Sequence, residues 1–296
     1  MYKGLKTFGI LTSLGMILVL LQGSLVTKTG SEDGCGSTWP LCFGEAVPES
    51  PAIETIIEYS HRLVSGLVGL MVIVLAFWAW KRLSHRRETK FWSIMAVLFV
   101  IFQGLMGAAA VVWGHSNLVL ALHFGISAIS LATVIMLTIL PFEREGQPPA
   151  PRVSRTFRYY FFFVLTYCYA VIYTGAYVKH TGSTFACDGL IFCDNGLFSA
   201  GSMQQWVHMM HRFSAYFLVL LLIVLLIWSF KQASGRKLLA ALSGISVALV
   251  LSQAAAGFAI LFSDSYLTSG LFHALIVSLL FSVLCYIGMI ITRKTS

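Results

Sequence analysis

Charged residues are scarce in this chain of 296 residues: Asp, Glu, Lys and Arg make up 11% of it, whereas 57% is hydrophobic. Charged residues make up about a quarter of a typical soluble domain. This scarcity therefore excludes an ordinary soluble protein and indicates a membrane protein. The basic residues are also spread over several loops without an aromatic stacking platform among them. The net charge of +8 therefore does not indicate a nucleic-acid partner.

The hydrophobic residues form apolar runs of the length that crosses a bilayer, about 20 residues. Eight such runs predict an all-α membrane protein with eight transmembrane helices, at residues 8–26, 60–80, 92–113, 118–140, 159–178, 206–230, 238–262 and 269–292. Lysine and arginine concentrate in the loops on one side, against Lys28 and Lys179 in the loops on the other. By the positive-inside rule, the N and C termini are predicted to lie inside.

The chain also contains an internal repeat. The segment "LVTKTGSEDGC" after the first span is echoed by "YVKHTGSTFAC" after the fifth, so the first span is expected to belong to the fold rather than to a cleaved signal peptide. Four pairs of identical residues lie 150 positions apart: His61 and His211, Gln103 and Gln253, Gly107 and Gly257, His123 and His273. We predict two pseudo-symmetric four-helix bundles, residues 1–141 and 157–296, joined by an inner linker at 142–156.

Each predicted bundle carries one pair of histidines near the outer face. His61 and His211 lie at the start of the second span of their half, and His123 and His273 lie a turn or two into the fourth. A lone membrane histidine is often only a hydrogen-bonding residue between helices, but here the pair recurs with the same spacing of 62 residues. Two imidazoles facing each other across a bundle suit the axial positions of haem iron. Zinc fits less well because it takes four ligands.

Charged residues accompany the histidines of the second spans. Arg62 and Arg212 directly follow them and could meet either haem propionates or lipid phosphates. Glu58 lies one helical turn before His61, where it could accept a proton or stabilise a cationic centre, or only pair with Arg62. The equivalent residue of the second half is His208, a potential competitor of His211 as a ligand.

Two cysteine pairs, Cys35–Cys42 and Cys187–Cys193, lie in loops predicted on the oxidising side of the membrane. Each pair is expected to form a disulfide that either staples its loop or cycles during turnover.

Taken together, the motifs resemble one known family over essentially the whole chain. The segments "EYSHR", "FQGLMGAAAVVWG", "ALHFGIS" and "YTGAYVKHTGS", with a histidine in the final helix, are similar to haem A synthase of the Gram-positive type. The resemblance implies an oxidoreductase that converts the C8 methyl of haem O to the formyl of haem A for cytochrome oxidase. It further implies that His61 and His123 hold the substrate haem O, that His211 and His273 hold a haem b cofactor, and that Glu58 is the essential catalytic glutamate.

Other functions remain open at this stage. A b-type cytochrome that carries electrons across the membrane needs haems at both faces, whereas these histidines share one depth. A haem-handling transporter could also use histidine pairs, and a membrane thiol oxidoreductase could use the cysteines. The expected setting is the cell membrane, with haem O, lipid, the haem O synthase and an electron carrier as candidate partners and a homo-oligomer as one allowed state.

Overall fold

The structure is a computed structural model that describes residues 2–49, 51–114, 116–143, 151–187, 189, 191–193, 201–232, 236–263 and 266–293. Across these residues the chain forms eight α-helices and a 3₁₀ turn at Leu140–Phe142. The helices are α1 (Lys3–Thr29), α2 (Ile53–Leu83), α3 (Arg87–Trp113), α4 (Asn117–Ile139), α5 (Arg155–His180), α6 (Met203–Ser229), α7 (Arg236–Phe262) and α8 (Tyr266–Thr292). All eight are long and apolar enough to cross a membrane. The predicted all-α chain with eight membrane-spanning helices is confirmed, and the inner placement of the termini stays a prediction.

The chain divides into two compact units, Met1–Glu145 and Gly146–Ser296. In the first unit α1 contacts α2 and α4, and α3 contacts α2 and α4; in the second, α5 contacts α6 and α8, and α7 contacts α6 and α8. Each unit is therefore a ring of four helices. The pseudo-symmetry between the units stays a prediction, and residues 144–150 of the predicted linker lie outside the described residues.

Polar bonds between helices support the packing, which in lipid gains little from the hydrophobic effect. The Thr138 hydroxyl on α4 donates to the Gly9 carbonyl on α1 at 3.0 Å. In the second unit the hydroxyl oxygens of Ser229 on α6 and Ser243 on α7 lie 2.9 Å apart. By contrast, one face of α2 is apolar and exposed at helical spacing, as expected for a surface in contact with lipid tails. Its residues are Leu63, Leu67, Leu70, Val74 and Phe77.

The repeated sequence "TGS" ends α1 and α5 in the same way. Gly30 and Gly182 both adopt the left-handed conformation, with φ of 68°, that glycine tolerates without strain. The next residue in each case donates its amide back into the helix, Ser31 to the Val26 carbonyl and Ser183 to the Val178 carbonyl, both at 2.9 Å. Each turn directs the chain into a loop that carries one of the cysteine pairs.

The second helix of each unit begins earlier than the apolar runs predicted. Because α2 begins at Ile53 and α6 at Met203, His61 and His211 lie about two turns inside their helices rather than at the start. The predicted start followed hydrophobicity alone, whereas the first turns of both helices mix polar and apolar residues and contact the loops that carry the cysteine pairs. Glu58 consequently belongs to a formed helix.

Candidate functional site

The histidine pair of the first unit lies on its second and fourth helices. His61 on α2 and His123 on α4 are close enough to interact electrostatically, and neither imidazole is fully buried. Each ring packs against a glycine of a neighbouring helix. A Cβ built at Gly23 on α1 would lie 3.2 Å from Cε1 of His61, and one at Gly107 on α3 would lie 3.4 Å from Cε1 of His123.

The second unit repeats this arrangement with shorter contacts. His211 on α6 and His273 on α8 also interact electrostatically. A Cβ at Gly175 would lie 2.8 Å from Cε1 of His211, closer than real Cβ atoms approach, and one at Gly257 would lie 3.2 Å from Cε1 of His273. Each of the four histidines thus packs against a glycine, and at Gly175 the approach is too close for any other residue without a shift.

Hydrogen bonds fix the ring orientation of the second pair. The Thr174 hydroxyl donates to the Val171 carbonyl at 2.9 Å and lies 3.0 Å from Nδ1 of His211, so it accepts the Nδ1 proton. Nδ1 of His273 donates to the Gln253 carbonyl at 3.0 Å. Both imidazoles are therefore held in the tautomer that presents Nε2 as a lone pair, which is the form that ligates a metal.

The first pair is held more loosely. Nδ1 of His61 lies 3.5 Å from the Ser65 hydroxyl, at the limit of a hydrogen bond, and that hydroxyl already donates to the His61 carbonyl at 2.6 Å. Nδ1 of His123 is buried and has no hydrogen-bond partner among the described residues. A buried ring nitrogen without a partner is costly, so the first pair lacks the hydrogen bonds that orient the second.

The paired imidazoles, each with a glycine beside its ring, suit haem in both units. Two imidazoles can hold one haem iron, and the glycines leave room for the imidazole rings themselves. Within the described residues, no group of three or more His, Cys, Asp or Glu side chains is arranged to hold a metal ion. The donor set is therefore two imidazoles per unit, which suits haem and does not suit a four-ligand zinc site.

Glu58 is buried in the first unit, with 4% of its surface exposed. One carboxylate oxygen, Oε2, accepts the backbone amide of Cys35 at 2.8 Å, and Oε1 pairs with Nη2 of Arg62. Arg62 in turn donates through Nη1 to the carbonyls of Thr38 at 2.6 Å and Leu41 at 2.9 Å. The expected ion pair of Glu58 with Arg62 is present, and both residues also bind the loop that holds Cys35 and Cys42.

His208 takes the place of Glu58 in the second unit. Its Nδ1 lies 2.9 Å from the Ser183 carbonyl oxygen, to which it donates, and its Nε2 accepts from Nε of Arg212 at 3.0 Å. Since both ring nitrogens are occupied, His208 has none left for iron, and it does not compete with His211. Arg212 also donates to the carbonyls of Gly189 at 2.6 Å and Cys187 at 3.2 Å.

Both predicted cysteine pairs are bonded as disulfides, Cys35 with Cys42 and Cys187 with Cys193. Among the described residues the free cysteines are Cys168 and Cys285, which lie in α5 and α8. Arg62 and Arg212 each bind carbonyls of the neighbouring disulfide loop, while Nε of Arg62 is buried without a partner in the described part of the chain. The predicted contacts of both arginines with propionates stay predictions.

Comparison with known proteins assigns the chain to a family. The family model COX15-CtaA, described as cytochrome oxidase assembly protein, matches residues 6–285. The chain belongs to this family. Among curated relatives, the protein of Alkalihalophilus pseudofirmus is 56% identical over 296 residues, 100% of both chains. That of Halalkalibacterium halodurans is 55% identical over 295 residues, 99% of both, and that of Bacillus licheniformis is 44% identical over 297 residues, 99% of this chain and 98% of the relative.

All three of these relatives carry the name "Heme A synthase". The resemblance drawn from the sequence motifs is thereby confirmed. The comparisons do not assign roles to individual residues, so the catalytic and ligand residues stay predictions.

Several site residues were missed from the sequence. Gly23 and Gly175, which lie beside His61 and His211, are 152 positions apart rather than 150. The same offset of 152 relates the two "TGS" segments, so aligning α1 with α5 on that echo would have found them. The bond from the Cys35 amide to Glu58 left no signal, because a backbone donor has no sequence signature.

Proposed function

We propose that this protein is a haem A synthase, which oxidises the C8 methyl group of haem O to the formyl group of haem A for cytochrome oxidase. The observation that carries the proposal is the histidine pair in each unit, with a glycine beside every ring and, among the described residues, a buried carboxylate one turn from His61 where the second unit has His208. Full-length similarity to proteins named "Heme A synthase" supports the reaction.

The two units have different roles in this proposal. His211 and His273 hold a haem b cofactor, and His61 and His123 hold haem O. The hydrogen bonds that fix His211 and His273 suit a permanent cofactor, because outer-shell partners orient and strengthen metal ligands. The loosely held first pair suits a substrate that must enter and leave as product. When bound, haem b supplies one-electron oxidation and reduction.

Glu58 acts at the substrate in the first unit. When water supplies the oxygen, oxidation of the methyl group to the formyl group releases electrons, which leave to the carrier, and protons, so positive charge develops at the methyl carbon. Glu58 shares a helix face with His61, one turn away, and is buried, where a carboxylate interacts strongly with nearby charge. It accepts a proton or stabilises the cationic centre as the methyl group is oxidised.

The proposed setting is the cell membrane, with both haem sites near the outer face, the termini inside, and units bounded by residues 1–141 and 157–296. Arg62 and Arg212 contact haem propionates through guanidinium N–H groups that are not used in bonds to the loop carbonyls. Haem O comes from the haem O synthase, the electrons leave to a carrier, and the protein acts in a homo-oligomer or alone.

The experiment is to express the chain in a host that makes haem O but not haem A, and to extract and separate the haems by mass. Haem A should appear only in cells that contain the protein, and a His61→Ala variant should not produce it. Bound haem without haem A in the cells would instead favour a b-type cytochrome or a haem transporter.

A further inference from the structure

We propose that the loop closed by the Cys35–Cys42 disulfide is a positioning element for Glu58, and that the disulfide serves the reaction by holding the Cys35 amide against this carboxylate. The inference rests on the proposed function, and it assigns positioning roles to the Cys35 amide, to Gly34 and to the disulfide. No electrons pass through the disulfide in this scheme.

The bond at the centre of the proposal joins Oε2 of Glu58 to the Cys35 amide at 2.8 Å, and both partners are buried. A hydrogen bond to an ionised carboxylate is stronger than one between neutral groups and fixes its direction. Because Arg62 holds the other oxygen, Glu58 has both oxygens engaged and a single orientation. Movement of the loop would therefore break the hydrogen bond to Oε2 and leave Glu58 held by Arg62 alone.

Close contacts hold the loop against the first turns of α2. A Cβ built at Gly34 would lie 2.5 Å from the Glu54 carbonyl oxygen and 2.8 Å from the Thr55 amide nitrogen, so only glycine allows this approach. The Tyr59 hydroxyl donates to the Ala46 carbonyl at 2.6 Å. Arg62 binds two further carbonyls of the loop, and the disulfide joins the two ends of the segment that Arg62 binds.

The second unit provides a natural contrast. Arg212 binds carbonyls of its own disulfide loop, so an arginine that holds the loop is common to both units. However, the residue equivalent to Glu58 in the second unit is His208, which is not a carboxylate. The residue equivalent to Gly34 is Ala186. The first unit, which carries Glu58, thus has both the close contact of Gly34 with α2 and the hydrogen bond from the Cys35 amide to the carboxylate.

The first test is a Gly34→Ala substitution, which adds a methyl group where the loop meets α2 and changes neither Glu58, nor a cysteine, nor a histidine. We expect haem A formation per haem-loaded protein to fall by the order of tenfold, the effect of one strong hydrogen bond, mainly in kcat and with little change in KM. Ala186→Gly in the second unit is the matched control and should leave the rate unchanged.

A double-mutant cycle of Gly34→Ala with Glu58→Gln separates loss of Glu58 positioning from a general disturbance of the fold. If Gly34→Ala acts through Glu58, it should have little further effect on the residual rate of the Glu58→Gln protein, because coupled residues are not additive. The same tenfold loss in both backgrounds would overturn the proposal. Normal turnover in Glu58→Gln alone would instead reject the catalytic role of Glu58 in the proposed function.

A second measurement does not depend on activity. In purified protein exposed to graded thiol reductant, Glu58→Ala should make Cys35–Cys42 easier to reduce by the order of tenfold, since the carboxylate that holds the loop is gone. Labelling of the released thiols reports the result, and Cys187–Cys193 in the same molecule is the internal control. Unchanged reduction of Cys35–Cys42, or equal loosening of both pairs, would contradict the link between loop and carboxylate.

Discussion

Replacement of Glu58 by glutamine removes the charge of the side chain while keeping its size. In the structure the carboxylate accepts from the Cys35 amide and from Arg62 at the same time. A glutamine has a single acceptor oxygen, so it can satisfy one of these donors and must turn its NH₂ group toward the other. We expect the free energy of unfolding to fall by about 1–3 kcal/mol, the cost of leaving a buried donor without its partner.

The effect on the reaction should be larger than the effect on stability. Loss of a general base costs on the order of 10² in rate, so haem A yield should drop by that factor while the haem b spectrum is kept. Glu58→Asp should retain part of the activity, since it keeps the charge at a shorter reach. The assay is mass analysis of haem O, any singly oxidised intermediate and haem A in purified, folded protein.

His208→Gln in the second unit is the control for this variant. It disturbs a contact with an arginine at the equivalent position, so it should lower stability without lowering haem A formed per haem-loaded protein. Near-normal haem A formation by Glu58→Gln would refute the catalytic role and leave Glu58 as a structural partner of Arg62 and Cys35.

Further predictions concern the haem ligands. His211→Ala or His273→Ala should remove the tightly held b-type absorption, whereas His61→Ala or His123→Ala should leave it largely intact and abolish haem A formation; equal loss of haem b in all four variants would contradict the division of roles. Gly175→Ala places a methyl carbon 2.8 Å from Cε1 of His211, so it should displace the ring and weaken haem b binding, as read from the absorption spectrum, and an unchanged spectrum would show that this glycine is not needed.

The helices could be predicted from the sequence because each one is a long apolar run, and lipid leaves the backbone no alternative to helix in such runs. The ends of the helices could not, since several helices extend past their apolar runs into segments that mix polar and apolar residues, as α2 does at Ile53–Glu58. The first turn of α2 lies against its disulfide loop, as the contact of Gly34 with Glu54 shows, and such packing supports a helical turn. Hydropathy does not detect a helix that is stabilised by a loop distant in the chain.

The histidines of the site were found through their repeat, which is a property of the sequence. Their different environments were not, because they depend on groups without a pattern. The Gln253 carbonyl that orients His273 and the Cys35 amide that binds Glu58 are backbone atoms, which every residue provides. The engagement of both nitrogens of His208 likewise required coordinates, since its spacing alone matched that of a ligand.

The proposed reaction is tested most directly by a time course of haem O conversion. Membranes that contain the protein are supplied with haem O, and the haems are extracted at intervals and separated by mass. We predict that haem O disappears as haem A accumulates in matching amount, and that membranes with the Glu58→Gln protein retain haem O or a singly oxidised intermediate. Haem O that stays unchanged beside folded protein loaded with haem b would contradict the assignment as a haem A synthase.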